Sequence, residues 1–247
     1  MTQNVEKGDD FSMERQRFRE TFDILPDGAG TVLEIGFNDM RMSRLLGERY
    51  EVYGIDLPRL VDKGAQSEYG FRLSFASIEK LPFPDNSFDL VVCAQVLEHL
   101  PEAVLKRGVR ELARVARRWV FVSVPYRQRV WNENYKCTHC GFIGHCMEHL
   151  HYFDEPRLLS LFPGWHSQCL ELVGSQRGYA PDMLYRLANK LGNSWSTLHW
   201  KCTNCQQEPG SQRENPVGYI VRRIIWRLER RLPRRKAWML ALMTRRS

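Results

Sequence analysis

A chain of 247 residues, 43% of them apolar, can bury one sizeable core with small additions, not two full domains. Its formal charge of +7 is uneven: from Pro216 to Ser247 ten basic side chains stand against the single acid Glu229, a local +9 that leaves residues 1–215 at −2. That excludes a uniformly basic nucleic-acid coat and describes a slightly acidic body with a basic tail.

Met1–Asp10 is polar and acidic with no apolar h-region, and no run approaches the roughly 18 apolar residues of a spanning helix, so the expectation is a cytoplasmic protein. Phe11, Phe18 and Phe22 share a helical face, predicting an amphipathic opening helix over 11–23 that Pro26, Gly28 and Gly30 end. Thr31–Ile35 reads as a short buried strand closed by Gly36, with a helix after it through Leu46. Val52–Ile55 is a second strand ending at Asp56, Phe88–Cys93 a third and Trp119–Val124 a fourth, with a helix from about Glu102 to Ala116. After a Cys/His-rich segment come a helix at Glu155–Phe162 and a strand at Leu170–Val173. Short apolar strands alternating with helices predict βαβ units around a buried parallel sheet.

In such a sheet, ligands bind beyond the carboxyl ends of the strands. Gly36 is there to let a ligand approach the first turn, with Glu34 just inside that strand. Asp56 stands about twenty residues further on, where a carboxylate can accept from both hydroxyls of a ribose. The run Leu81-Pro-Phe-Pro-Asp-Asn-Ser-Phe-Asp-Leu-Val-Val-Cys-Ala-Gln-Val-Leu-Glu-His-Leu-Pro-Glu102, preceded by Val32-Leu-Glu-Ile-Gly36 and Tyr53-Gly-Ile-Asp56, closely resembles class I S-adenosylmethionine-dependent methyltransferases of the type 11 kind over about residues 10–174.

The resemblance implies an α/β, Rossmann-like seven-stranded sheet and methyl transfer from S-adenosylmethionine. It also implies that Glu34, Gly36 and Asn38 line the methionine end of the cofactor and that Asp56 holds its ribose. Leu57 would pack on adenine, Ser77 and Ile78 would sit at the adenine edge, and Ala94 and Gln95 near the sulfonium. Three positions depart from the family pattern. Asn38 and Met40 stand where glycines are common, and Ser77 where an aspartate is common. No phosphate-loop lysine is present, in keeping with a cationic cofactor.

Lys136-Cys-Thr-His-Cys140 and Lys201-Cys-Thr-Asn-Cys205 are nearly the same five residues twice. Two such knuckles can supply four thiolates, Cys137, Cys140, Cys202 and Cys205, to one tetrahedral structural Zn²⁺, and soft ligands favour zinc over magnesium. Two other readings stay open: Cys137 and Cys140 with two of His145, Cys146, His149 and His151, or no metal and a redox role. His99 is the candidate general base, needed for an alkanol acceptor and little needed for an amine or thiolate.

In the tail, Ile220, Val221, Ile224, Ile225, Leu228 and Leu232 recur at spacings of three and four, with six arginines on the rest of the helix. Ala237–Met243 with Trp238 adds a second apolar piece. An anionic membrane surface suits such a tail, packing on the body competes closely with it, and nucleic acid ranks third.

The expected organisation is therefore a methyltransferase core over 1–174 with a zinc-binding insertion at 126–150, a second knuckle region at 175–214, and a basic amphipathic helical tail at 215–247. The expected activity is methylation, at oxygen, of a small-molecule, lipid-linked or glycan acceptor. The rivals are an RNA methyltransferase and a non-catalytic adaptor recruited by the tail.

Overall fold

The computed structural model describes residues 3–37, 40–57, 71–132, 134–191, 201–207 and 215–245. The chain divides into two compact units. The first comprises Met1–Tyr126, Phe153–Gly174 and Lys236–Ser247, the second Arg127–Tyr152 and Ser175–Arg235.

The first unit holds helices α1 (Gln3–Ile24), α2 (Arg41–Leu46), α3 (Glu102–Val115) and α4 (Glu155–Ser160). Its strands are β1 (Thr31–Ile35), β2 (Glu51–Asp56), β3 (Arg72–Phe75), β4 (Phe88–Ala94), β5 (Ala116–Pro125), β8 (Trp165–Val173) and β9 (Trp238–Arg245). They form one seven-stranded sheet in the order β3-β2-β1-β4-β5-β9-β8. The pairs from β3 through β5 are parallel, and β9 runs antiparallel to both its neighbours.

Helices cover both faces, which is why the inner strands read as continuous apolar runs. Leu33, Ile35, Val91, Val120 and Val122 pack to one side with Leu105, Val109 and Leu112 of α3. Their alternates Val32, Leu90, Val92 and Phe121 pack to the other with Leu46 of α2. Asp89 pins the start of β1. Its carboxylate accepts from the backbone N–H of Gly30 (2.9 Å) and Thr31 (3.2 Å) and from Arg117 (2.7 Å).

The expected tail does not run to the end of the chain. Ala237–Met243, read as its second apolar piece, is mostly β9, inserted between β5 and β8 with Met239–Met243 no more than 2% exposed. A strand buried on both faces and a short apolar helical piece look alike in sequence, and the arginines flanking this one pulled it toward the tail. The core expected over 1–174 is thus completed by residues 238–245. The opening helix is also longer than expected, from Gln3 to Ile24.

The second unit carries the hairpin β6 (Asn134–Lys136) and β7 (Ile143–His145), then α5 (Asp182–Leu191), the second knuckle, and α6 (Pro216–Glu229). Asn215 caps α6, its side chain accepting from Val217 N–H (2.9 Å), and Pro216 opens the first turn. Only part of the apolar surface of α6 is used here. Val221 and Ile225 pack with Ala180, Tyr185 and Ala188, while Val217, Ile220 and Ile224 are exposed.

Candidate active site and thiol cluster

Parallel register puts Ile35 beside Ile55 on one side and Cys93 on the other. Gly36, Asp56 and Ala94 therefore stand in one row, each a residue further along adjacent strands. Gly36 adopts φ +81°, and a Cβ there would lie 2.6 Å from Val96 Cγ2. Only glycine suits both the turn and the close approach. Its N–H donates to the Ile55 carbonyl (2.8 Å), tying the turn to β2.

Glu34 is buried and accepts a hydrogen bond from the Ser43 hydroxyl of α2. Asp56 is also buried, and its Oδ1 accepts from Leu57 N–H (2.6 Å), while the Leu57 side chain is exposed. Ala76 N–H donates to the Asp56 carbonyl (3.1 Å), which brings the segment of Ser77 and Ile78 to the same end of β2. Ser77 Oγ accepts from Glu79 N–H (3.3 Å). Ile78 is buried against Gly108 of α3.

Gln95 takes φ +57° after β4 and is held twice by Ser123, its N–H on the Ser123 carbonyl and its Nε2 on Oγ, both at 2.8 Å. Asn38 lies outside the described residues. Met40 sits at φ 60°, a left-handed conformation that favours glycine.

After β4 a single turn, Leu97–His99, leads toward α3. His99 is exposed there, its backbone N–H on the Val96 carbonyl (3.1 Å). Sequence reasoning passed over its neighbour Glu98, which is 0% exposed and whose two carboxyl oxygens have no hydrogen-bond partner among the described residues. Burial pushes this carboxyl up to about 8, with its own backbone N–H and then Arg17 on α1 pulling the other way. Nothing in Leu-Glu-His announces which of the two polar residues turns inward.

The four knuckle cysteines converge within the second unit. Their sulfurs all lie within 4.8 Å of one another, with Cys137 to Cys205 and Cys140 to Cys202 each at 3.7 Å. A zinc tetrahedron with 2.3 Å arms has an edge of about 3.8 Å, so the donor set has the dimensions of a Zn–thiolate site.

The two knuckles share one backbone scheme. Cys137 N–H donates to the Phe142 carbonyl and Gly141 N–H to the Cys137 carbonyl, just as Cys202 N–H donates to Gln207 and Gln206 N–H to Cys202. Gly141 (φ 73°) and Gln206 (φ 59°) take the same left-handed position after the second cysteine. Burial opposes ionisation of Cys202, but backbone N–H groups of Cys205 and Asn204 outweigh it and bring the thiol down to about 6. The Asn204 side chain likewise lowers Cys140.

The mixed Cys/His alternative is not what the fold assembles around the knuckles. His145 Nδ1 accepts from Met147 and His149 N–H, the His145 and His149 rings stack at 5.1 Å, and His149 Nδ1 pairs with Gln128 Oε1.

Residues 33–124 match the family described as Methyltransferase domain. No curated protein matches the chain. Among solved structures, a chain from the Haloferax volcanii complex between the Trm112 methyltransferase activator and a methyltransferase aligns with TM-score 0.56 and 14% identity, over 98% of this chain and 94% of that one. The YcgJ protein of Bacillus subtilis aligns with TM-score 0.55 and 13% identity, over 95% and 99%. The Burkholderia thailandensis 1,6-didemethyltoxoflavin-N1-methyltransferase aligns with TM-score 0.52 and 15% identity, over 98% and 84%. At these identities the likeness is one of fold.

Proposed function

We propose that the chain is a class I S-adenosylmethionine-dependent methyltransferase and that it methylates an oxygen of a small-molecule, lipid-linked or glycan acceptor. The observation that carries the cofactor assignment is the row of Gly36, Asp56 and Ala94 past three adjacent strands. Acids stand in and beside that row, and among the described residues no cationic phosphate cradle does. When bound, S-adenosylmethionine supplies an electrophilic methyl group on sulfonium, which passes in line to the acceptor nucleophile as neutral S-adenosylhomocysteine leaves.

The chain's own residues orient and enclose. Asp56 would accept from the ribose hydroxyls, Leu57 would cover adenine, and Ser77 and Ile78 would border its edge. Glu34 and Gly36 would receive the methionine end, and Ala94 and Gln95 would flank the reacting carbon, where fixed geometry supplies most of the rate. His99 is assigned the proton that an acceptor hydroxyl sheds.

We assign Cys137, Cys140, Cys202 and Cys205 to one structural zinc. With four protein ligands such a site is closed and takes no part in the chemistry. The exposed Val217, Ile220 and Ile224 of α6, with Arg223 and Arg227 on the same helix and Arg230 at its C-cap, support a seat on an anionic membrane surface, where each arginine is worth about 1 kcal/mol.

The acceptor reading is tested by incubating cell extracts with the enzyme and methyl-labelled cofactor and reading each fraction by mass spectrometry. Alkali-stable label in a lipid, glycan or small-molecule pool supports it; label in RNA, or on nitrogen, contradicts it. Flotation with vesicles of phosphatidylcholine and phosphatidylglycerol tests the surface. The native protein should float and the double variant Ile220→Glu/Ile224→Glu should not; equal flotation removes the membrane role.

A further inference from the structure

Glu98 is the unexplained group of the first unit. A buried carboxyl normally spends its oxygens on hydrogen bonds, and one that does not calls for an explanation such as a ligand or a catalytic role. Neither oxygen of Glu98 has a partner among the described residues, and the side chain is fully buried. Its position is also particular. Glu98 lies three residues beyond Gln95, past the carboxyl end of β4, and Val96 between them closes on the Gly36 turn. It therefore belongs to the edge where an open α/β sheet binds its ligand.

The charged and titratable neighbours do not settle its charge. Arg17 of α1 acts on it through space, without a hydrogen bond to it. That guanidinium also has Glu14 at 3.8 Å and lies over the rings of Phe18 and Trp238. Cys93, beneath it on β4, is fully buried and held far toward the neutral thiol. His99, next in the chain, is exposed, with a ring nitrogen within 4.8 Å of a Glu98 carboxyl oxygen. Even with Arg17 present, burial leaves the carboxyl reluctant to ionise. A second cation entering this edge would change that balance.

We propose that Glu98 is the charge partner of the cofactor's sulfonium. A methylsulfonium has no N–H or O–H to donate, so it is recognised by a negative field and by weak C–H contacts rather than by a conventional hydrogen bond. A desolvated carboxylate with neither oxygen hydrogen-bonded by another described residue supplies that field, and low local dielectric strengthens it. Transfer turns the sulfonium into a neutral thioether, so the same residue that holds the substrate form of the cofactor ceases to hold the product form. The assignment rests on the methyltransferase reading and adds to it a residue that discriminates the two cofactor states.

The test is isothermal calorimetry at pH 7.5 with S-adenosylmethionine and with S-adenosylhomocysteine, on the native protein and on Glu98→Gln. The variant should lose at least tenfold in affinity for S-adenosylmethionine and change less than threefold for S-adenosylhomocysteine, whose retained binding also reports an intact site. Equal loss for both ligands, or no loss for S-adenosylmethionine, overturns the assignment.

A second measurement needs no variant. An analogue with a charged amine in place of the methylsulfonium should bind the native protein at least tenfold more tightly than S-adenosylhomocysteine, and equal affinity overturns the proposal. Native protein that binds none of the three contradicts the cofactor reading itself and the role of Glu98 with it.

Discussion

Replacing Cys202 with serine should separate the two units energetically. Cys202 is 0% exposed and faces Cys140 across 3.7 Å, in a cluster whose only other buried members are Tyr135 and Cys137 among the described residues. So small an apolar core cannot hold the knuckles by itself. The cluster joins positions 62 to 68 residues apart. Treated as a cross-link over a loop of that length, it restricts the unfolded chain by about 4 kcal/mol. This is a lower figure than the roughly 10–16 kcal/mol of metal affinity seen in small zinc peptides, because only the chain-closing part is counted. For a unit of this size, 1 kcal/mol moves the melting temperature by about 4–8 °C, so the transition of the second unit should fall by about 15–30 °C. Differential scanning calorimetry read together with metal analysis by mass spectrometry checks this. Native protein should carry one zinc per chain, Cys202→Ser should lose it, and a strong chelator should reproduce the shift in the native protein. Native protein without zinc, or chelation that removes zinc and leaves the transition in place, would refute the reasoning.

Two further outcomes follow from the first unit. Gly36→Ala must place a Cβ 2.6 Å from Val96 at φ +81°, so it should destabilise the protein by about 1–3 kcal/mol and weaken cofactor binding, as read by urea unfolding and calorimetry; native-like values for both would contradict the described turn. Burial opposes ionisation of Asp89, but the N–H groups of Gly30 and Thr31 and the Arg117 guanidinium hold its carboxyl below the usual aspartate range. Its stabilisation is present above the unfolded aspartate pKa of about 3.9 and is lost as pH falls through the lower folded value. Asp89→Asn should therefore lower the urea midpoint at pH 7 and narrow its gap to native protein near pH 3; a constant gap would show that ionisation of Asp89 does not matter.

How far the sequence carried this fold depended on burial on two sides. β1, β2, β4 and β5 announce themselves because Val32–Ile35, Val52–Ile55, Phe88–Cys93 and Trp119–Val124 are apolar at every or nearly every position, as strands covered on both faces must be. β3 does not, since Arg72–Phe75 is a largely exposed edge with no buried residue to mark it. β9 carries as strong an apolar run as any, yet its strand neighbours lie far back in the chain and the adjacent arginines suggested a surface element. α6 was legible as a helix but not in its division of labour. Its apolar residues read as one face, whereas Val221 and Ile225 are spent on packing and Ile220 and Ile224 are not. Repetition of Cys-Thr-x-Cys pointed at the thiol cluster without contact information, because metal ligands must be paired somewhere. Glu98 left no such trace, since a single inward turn after β4 decides its burial.

Calorimetric titration of S-adenosylmethionine into native protein and Asp56→Asn tests the central claim most directly. Native protein should bind with a micromolar Kd. The variant should bind about 10- to 150-fold more weakly, the equivalent of the roughly 1.5–3 kcal/mol of a hydrogen bond to a charged group. No heat of binding to the native protein at millimolar cofactor, or unchanged affinity in Asp56→Asn, would contradict the account.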